Sequence, residues 1–283
     1  MPGNPVTIPQ LMEWKKNQRK ITALTAHDFL TARALDKAGI DLVLVGDSLA
    51  MVALGHDTTL PVTMEEMLHH TRAVGRGLKR ALLIGDMPFM SYQASVEQAV
   101  TNAGRFLKES GAKAVKLEGG AQVETQVQAL VAAGIPVMGH LGLTPQSVHQ
   151  LGGYKVQGKN YLDARRIKAD AVKLQKAGAF ALVLEAIPED LAAEITKELD
   201  IPTIGIGAGA SCDGQILVTQ DMLGMNPDFV PKFVKQFADL GQQMEEGLKR
   251  YVYEVQNEAF PEKQHTYSTE SGNFKPVTQK KTG

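Results

Sequence analysis

The chain of 283 residues has one cysteine, Cys212, one tryptophan, Trp14, and no long apolar run. A lone cysteine excludes an internal disulfide and a cysteine-based metal site, and it fits a reducing, cytoplasmic setting. No stretch of about 18 apolar residues occurs, so no membrane-spanning helix is expected. Neither sign of charge dominates: 30 Lys and Arg face 31 Asp and Glu, leaving a net charge of −1. Without a basic excess to neutralise phosphates, nucleic acid is not an expected partner. Residues 1–20 carry no apolar core of signal-peptide length and mix Glu13 among the lysines, so they read as neither a secretory signal nor a transit peptide. Hydrophobic residues at 43% and charged residues at 22% describe a globular chain with a sizeable core, not a disordered or fibrous one.

Short apolar runs recur at 21–25, 42–45, 81–84, 114–117, 135–138, 181–184, 203–206 and 215–218. Each is flanked by Gly, Pro or a charge, as strands buried on both faces are. Between most of them lie helical patterns. Thr63-Met-Glu-Glu66 and Ser95-Val-Glu-Gln98 read as capping boxes. Gly39, Gly111, Gly134 and Gly178 stand where a helix ends and the next strand begins. Strand and helix alternating in this way over eight units predicts a (β/α)8 TIM barrel. An extra N-terminal helix over 7–19 is expected to pack on one end of it. Too few residues separate the seventh run from the eighth for a crossover helix, so a short turn is expected there. Val234, Phe237, Leu240, Met244, Leu248 and Val252 share one face of a final helix read over 231–255. The expected organisation is one catalytic barrel over 1–260, followed by a polar, disordered tail over 261–283.

Active sites of such barrels form at the carboxyl ends of the strands. There the sequence has Asp47 and Ser48 after the second run, Asp86 after the third, and Lys116 and Glu118 in and after the fourth. His140 follows the fifth run and Glu185 the sixth. Any one of these acids also suits a helix N-cap. Asp47, Asp86 and Glu118 together, on consecutive strands, point instead to a shared mouth where like charges repel. A divalent cation and Lys116 would relieve that repulsion. Oxygen-only ligands favour Mg2+ over zinc. Gly205 to Ala210 formally matches G-x-G-x-x-A, but the next apolar run follows too closely for a dinucleotide-binding unit, which leaves close backbone packing or anion binding. The irregular stretch 144–161, with Tyr154 and Lys155, has the length of a lid or an interface loop.

Seven strings carry a family resemblance: Leu44-Val-Gly-Asp-Ser48, Gly55-His-Asp-Thr-Thr-Leu-Pro-Val-Thr63, Asp86-Met-Pro-Phe-Met90, Val115-Lys-Leu-Glu-Gly-Gly120, Gly139-His-Leu-Gly-Leu-Thr-Pro-Gln-Ser147, Gly152-Gly-Tyr-Lys-Val-Gln-Gly158 and Ile204-Gly-Ile-Gly-Ala-Gly209. The chain resembles the ketopantoate hydroxymethyltransferases from about residue 7 to 262. The resemblance implies a homo-oligomeric barrel, a decamer in well-known members, with one Mg2+ per subunit. It implies hydroxymethyl transfer from 5,10-methylenetetrahydrofolate, as cosubstrate, to 3-methyl-2-oxobutanoate, giving 2-dehydropantoate for pantothenate and coenzyme A synthesis. By motif position it makes Asp47, Asp86 and Glu118 the metal residues and Asp47, Ser48, Asp86 and Lys116 the oxo-acid contacts. Glu185 becomes the proton acceptor, and Tyr154 and Lys155 are candidates for covering the site.

The nearest rival reading is another Mg2+-enolate barrel enzyme resembling isocitrate lyase or phosphoenolpyruvate mutase. The lyases carry a Lys-Lys-Cys-Gly-His pattern that is absent here. A non-catalytic oxo-acid-binding protein on the same fold is the alternative from another class.

Overall fold

The computed structural model describes residues 4–226 and 230–267. The chain divides into two compact units, residues 1–238 and residues 239–283. In the first unit eight parallel strands close into a barrel in sequence order. They are β1 (Ile21–Thr25), β2 (Leu42–Val45), β3 (Leu82–Asp86), β4 (Ala114–Glu118), β5 (Val137–Gly142), β6 (Ala181–Glu185), β7 (Thr203–Ile206) and β8 (Gly214–Leu217). The expected TIM barrel is therefore the observed fold.

Side chains alternate across a strand, so each strand divides between two cores. Val43, Leu83, Val115, Leu117, Leu182 and Leu184 face outward into the layer shared with the helices. Leu42, Leu44, Leu82, Ile84, Ala114, Met138, Val183 and Ile204 fill the barrel interior. Leu11 of the N-terminal helix Ile8–Lys16 is fully buried in that same interior cluster, so this helix closes the amino-terminal end of the barrel. Thr7 and Gln10 form its capping box.

Strands seven and eight are joined without a helix, and Asp213 secures the join. Its Oδ2 accepts hydrogen bonds from the Thr203 amide at 2.8 Å and the Thr203 hydroxyl at 3.1 Å, and from Lys15 Nζ at 2.8 Å. In the glycine-rich segment that precedes it, the space a Cβ would need at Gly205 is taken by Cys212 and at Gly209 by Glu189. Gly205 to Ala210 is thus a site of close packing.

In the second unit a helix runs over Leu240–Gln256, opened by Asp239, whose side chain accepts from the Gln242 amide. It begins later than the 231–255 apolar spacing suggests, because residues 231–238 form turns and bends instead of helix. None of its residues is buried, and Met244, Leu248 and Val252 are each about half exposed. Of the expected tail, residues 261–267 include a short 3-10 turn at Lys263–His265, and residues 268–283 lie outside the described residues.

Candidate active site

The alternation that buries Ile84, Ala114, Met138 and Val183 in the barrel also aims Asp86, Lys116, Glu118, His140 and Glu185 inward, one or two steps nearer the carboxyl ends. Register then sets the neighbours: Asp86 pairs with Lys116, and Glu118 with His140. All six residues expected at the site, Asp47, Ser48, Asp86, Lys116, Glu118 and Glu185, line one cavity of about 650 Å3 together with His140, Tyr154 and Lys155.

Lys116 stands at the centre. Its Nζ donates to Asp86 Oδ1 at 2.7 Å and lies 3.6 Å from Glu118 Oε1. Asp86 Oδ2 accepts from the Asp47 amide at 3.0 Å. Burial raises the Asp47 carboxyl well above the ordinary aspartate range, and Asp86 and Glu118 push it further. Burial also raises the Asp86 carboxyl, although Lys116 works against it. Burial opposes ionisation of Glu118 as well, but Lys116 and His140 outweigh it and hold that carboxyl below its usual range. Three buried carboxylates around one ammonium leave an excess of negative charge in a low-dielectric site.

His140 bridges two sides of the cavity. Nδ1 lies 3.5 Å from Glu118 Oε1 and Nε2 lies 3.2 Å from Glu185 Oε2. Neither nitrogen makes a hydrogen bond of good geometry, so the attraction is one of charge. Burial and Lys116 oppose protonation, yet the two carboxylates win and push the imidazole up to about 9. Glu185 keeps 15% side-chain exposure and stands apart from the Asp86–Lys116 pair. The backbone around it is tightly drawn. Leu143 N donates to Glu185 O at 2.8 Å, and a Cβ at Gly142, which sits at φ +95°, would collide with that carbonyl. Ala186 directly after it takes φ +46°, a strained conformation for a residue with a side chain.

Two further residues belong to this network, and sequence reasoning passed over both. Gln146 is 5% exposed, and its Nε2 donates to Asp47 Oδ2 and to Met87 O, both at 2.9 Å. Its own amide donates to Glu118 Oε2 at 3.0 Å. Tyr92 hydroxyl donates to Gln146 Oε1 at 2.8 Å and accepts from the Glu118 amide at 3.1 Å. Gln146 thereby holds Asp47 and Glu118 at once. Its place in the Gly139–Ser147 string was the one available signal; nothing in a lone glutamine distinguishes it from a surface residue.

Among the described residues no group of three or more His, Cys, Asp or Glu side chains is drawn together as a ready metal cage. Asp86 is turned to Lys116 and Asp47 to Gln146. Glu118 Oε1 and Ser48 Oγ are buried without a hydrogen-bond partner among the described residues.

A parallel barrel with carboxylates, a buried lysine and a histidine converging at the strand ends defines an α/β-barrel enzyme built for acid–base chemistry on a small polar substrate. The chain belongs to the ketopantoate hydroxymethyltransferase family, whose model matches residues 5–263. It is similar to the 3-methyl-2-oxobutanoate hydroxymethyltransferase of Thermoanaerobacter sp. strain X514, at 60% identity over 265 residues, covering 94% of this chain and 97% of the relative. The enzyme of that name from Clostridium novyi strain NT is 59% identical over 261 residues, covering 92% of this chain and 95% of the relative. In fold it resembles a phosphonopyruvate hydrolase solved with oxalate and Mg++, with a TM-score of 0.59 at 13% identity, covering 92% of this chain and 93% of that one. A 2,3-dimethylmalate lyase of the PEP mutase/isocitrate lyase superfamily gives a TM-score of 0.55 at 18% identity, covering 89% of this chain and 98% of that one.

Proposed function

We propose that this chain transfers a hydroxymethyl group from 5,10-methylenetetrahydrofolate to 3-methyl-2-oxobutanoate, giving 2-dehydropantoate. The observation that carries this reading is the separation of roles inside one cavity. Asp47, Asp86, Lys116 and Glu118 form one charged cluster, whereas the Glu185 side chain faces the same space and, among the described residues, pairs with His140 alone. Glu185 takes the proton from C3 of the oxo acid, and the electron pair left behind moves into the C2 carbonyl. Lys116, and Ser48 through its partnerless hydroxyl, stabilise the negative charge that develops there. The C3 carbon then attacks the methylene carbon of the folate. That attack breaks one of the two C–N bonds of the methylene bridge, and water then displaces the other nitrogen to give the hydroxymethyl group. Tetrahydrofolate leaves with the proton taken from C3 and the proton released by water on its two nitrogens.

The donor set suits a hard divalent cation such as Mg2+: it is oxygen-only, carries excess negative charge, and includes Glu118 Oε1, which is buried without a hydrogen bond among the described residues. Asp47 and Asp86, with Glu118, would hold one such ion per subunit. When bound, it supplies Lewis acidity to the oxo-acid oxygens. The rival mutase-like reading shares this enolate chemistry but lacks support from relatives as similar as the hydroxymethyltransferases. Assembly as a homo-oligomer, a decamer, and a cytoplasmic location belong to the same proposal.

The test is NMR of the products formed from the two substrates with Mg2+ and with excess EDTA. Dehydropantoate is expected with Mg2+ only. Pyruvate-type cleavage without folate would favour the mutase-like alternative, and equal product with EDTA would remove the metal from the scheme.

Gln146→Leu is expected to lower Mg2+ affinity about 10- to 100-fold, the usual effect of losing a residue that orients metal-bound carboxylates. Titration calorimetry with Mg2+ measures it. An unchanged affinity would show that Asp47 keeps its place without the Gln146 side chain, the bond to Glu118 coming from the Gln146 backbone amide that the variant retains.

A further inference from the structure

A cavity of about 650 Å3 is large enough to bury a drug-sized molecule, several times what a five-carbon oxo acid fills. The oxo-acid residues account for one side of it. The other side is built by the end of β8, the short helix Thr219–Met222 that follows it, and Pro231 and Phe233. This wall has its own anchor. The Thr219 amide donates to Thr25 Oγ1 at 3.1 Å and the Thr219 hydroxyl donates to Thr25 O at 2.5 Å, tying the helix to the end of β1. Gly207, at φ +62°, leaves room for the Phe233 ring to lie directly on the end of β7, where a Cβ would stand 2.9 Å from it.

Every other carboxylate in the cavity is engaged or exposed. Asp47 is held by Gln146, Asp86 by Lys116, Glu118 by the Gln146 amide, and Glu185 by His140. Asp57 is exposed. Asp221 differs from all of them. It is half-buried, its carboxylate has no hydrogen-bond or ion-pair partner among the described residues, and burial raises its carboxyl above the ordinary range. A desolvated carboxylate on a wall that it shares with Val218, Asn226, Pro231, Lys232 and Phe233 leaves two acceptor oxygens for N–H donors beside an apolar ring face. A reduced pterin presents that pairing: its 2-amino group and ring N3–H lie side by side on one edge, spaced for the two oxygens of a carboxylate.

We propose that Asp221 recognises the pterin edge of the folate cosubstrate, with Phe233 beside it as the apolar wall. This rests on the reaction proposed above and assigns its second substrate to a place. Asp221 and Phe233 line the same cavity as the oxo-acid residues.

The test uses the Mg2+-loaded enzyme and Asp221→Asn, in two assays. One measures KM for 5,10-methylenetetrahydrofolate. The other follows exchange of the oxo-acid C3 proton with D2O in the absence of folate. Loss of a charge-assisted pair predicts that KM for the folate rises about 10- to 100-fold, with C3 exchange close to that of the parent. Binding of tetrahydrofolate alone, followed by fluorescence, is expected to weaken by the same factor. Normal exchange with unchanged folate KM and binding would overturn the inference and leave the reaction standing. Loss of exchange together with a lowered Tm would also overturn it, because Asp221 would then be holding the fold. Absence of exchange in the parent enzyme would instead strike the reaction itself.

Discussion

Glu185→Gln is expected to lower turnover about 10²- to 10⁴-fold, the range lost with a general base, while leaving the barrel intact. The substitution keeps the shape of the side chain and a polar contact to His140 Nε2, now 3.2 Å from a carboxylate oxygen. What it removes is the ability to accept a proton. The Asp86–Lys116 pair is untouched, so binding of the oxo acid should persist and KM for it should stay near that of the parent. The informative readout is C3 proton exchange in D2O, which isolates the first step from folate chemistry. Exchange should fall by the same factor as turnover. Near-normal exchange would take the base away from Glu185 and direct the search to His140, the other titratable group beside it.

Lys116→Met is expected to be the most damaging single change to stability. Lys116 side-chain exposure is 5%, and Asp86 and Glu118, within 2.7 and 3.6 Å of its Nζ, are 1% and 3% exposed. Burial works against its charge, but Asp86, Glu118 and Asp47 outweigh burial and push its ionisation up. Removing one member of such a buried group leaves uncompensated charge and costs about 3–5 kcal/mol.

The pH dependence has a definite sign. In the parent, the lowered Glu118 carboxyl contributes stability that is present above the unfolded carboxylate value and lost as pH falls through the lower folded one. Without Lys116 the buried carboxyls sit above their unfolded values, so the folded variant takes up protons first and gains relative stability as pH falls. The deficit should be largest near pH 8 and shrink toward about pH 4, where carboxylates protonate. Urea midpoints of parent and variant at several pH values, with EDTA present, measure this. An equal midpoint at pH 8 would show that the carboxylates do not depend on the ammonium.

Much of this site was legible because a closed parallel barrel converts local pattern into position. The runs 21–25, 42–45 and 203–206 coincide with β1, β2 and β7, and Thr63 and Glu66 close the expected capping box. Once strand ends are located, period-two alternation says which polar residue points inward, and Asp86, Lys116, Glu118 and Glu185 follow from Ile84, Ala114 and Val183. Tyr92 and Gln146 did not follow. Their partners lie on other strands, as Asp47 and Glu118 do for Gln146, and no local spacing encodes a hydrogen bond between distant loops. The last helix was read too long because the apolar spacing runs on through residues 231–238 where the backbone turns instead.

By itself, the sequence determined the strand–helix alternation, the barrel, the charged residues at its strand ends and the family to which the chain belongs. Those are consequences of nearest-neighbour chemistry: side-chain periodicity, helix caps and glycine-ended helices. Only the tertiary structure decided which groups meet. It set Lys116 against Asp86, seated His140 between Glu118 and Glu185, bound Asp47 to Gln146 and left the Asp221 carboxylate without a partner among the described residues. The physical reason is that burial and charge are properties of the assembled barrel. The same carboxylate is raised, lowered or left unpaired according to which neighbours register brings beside it.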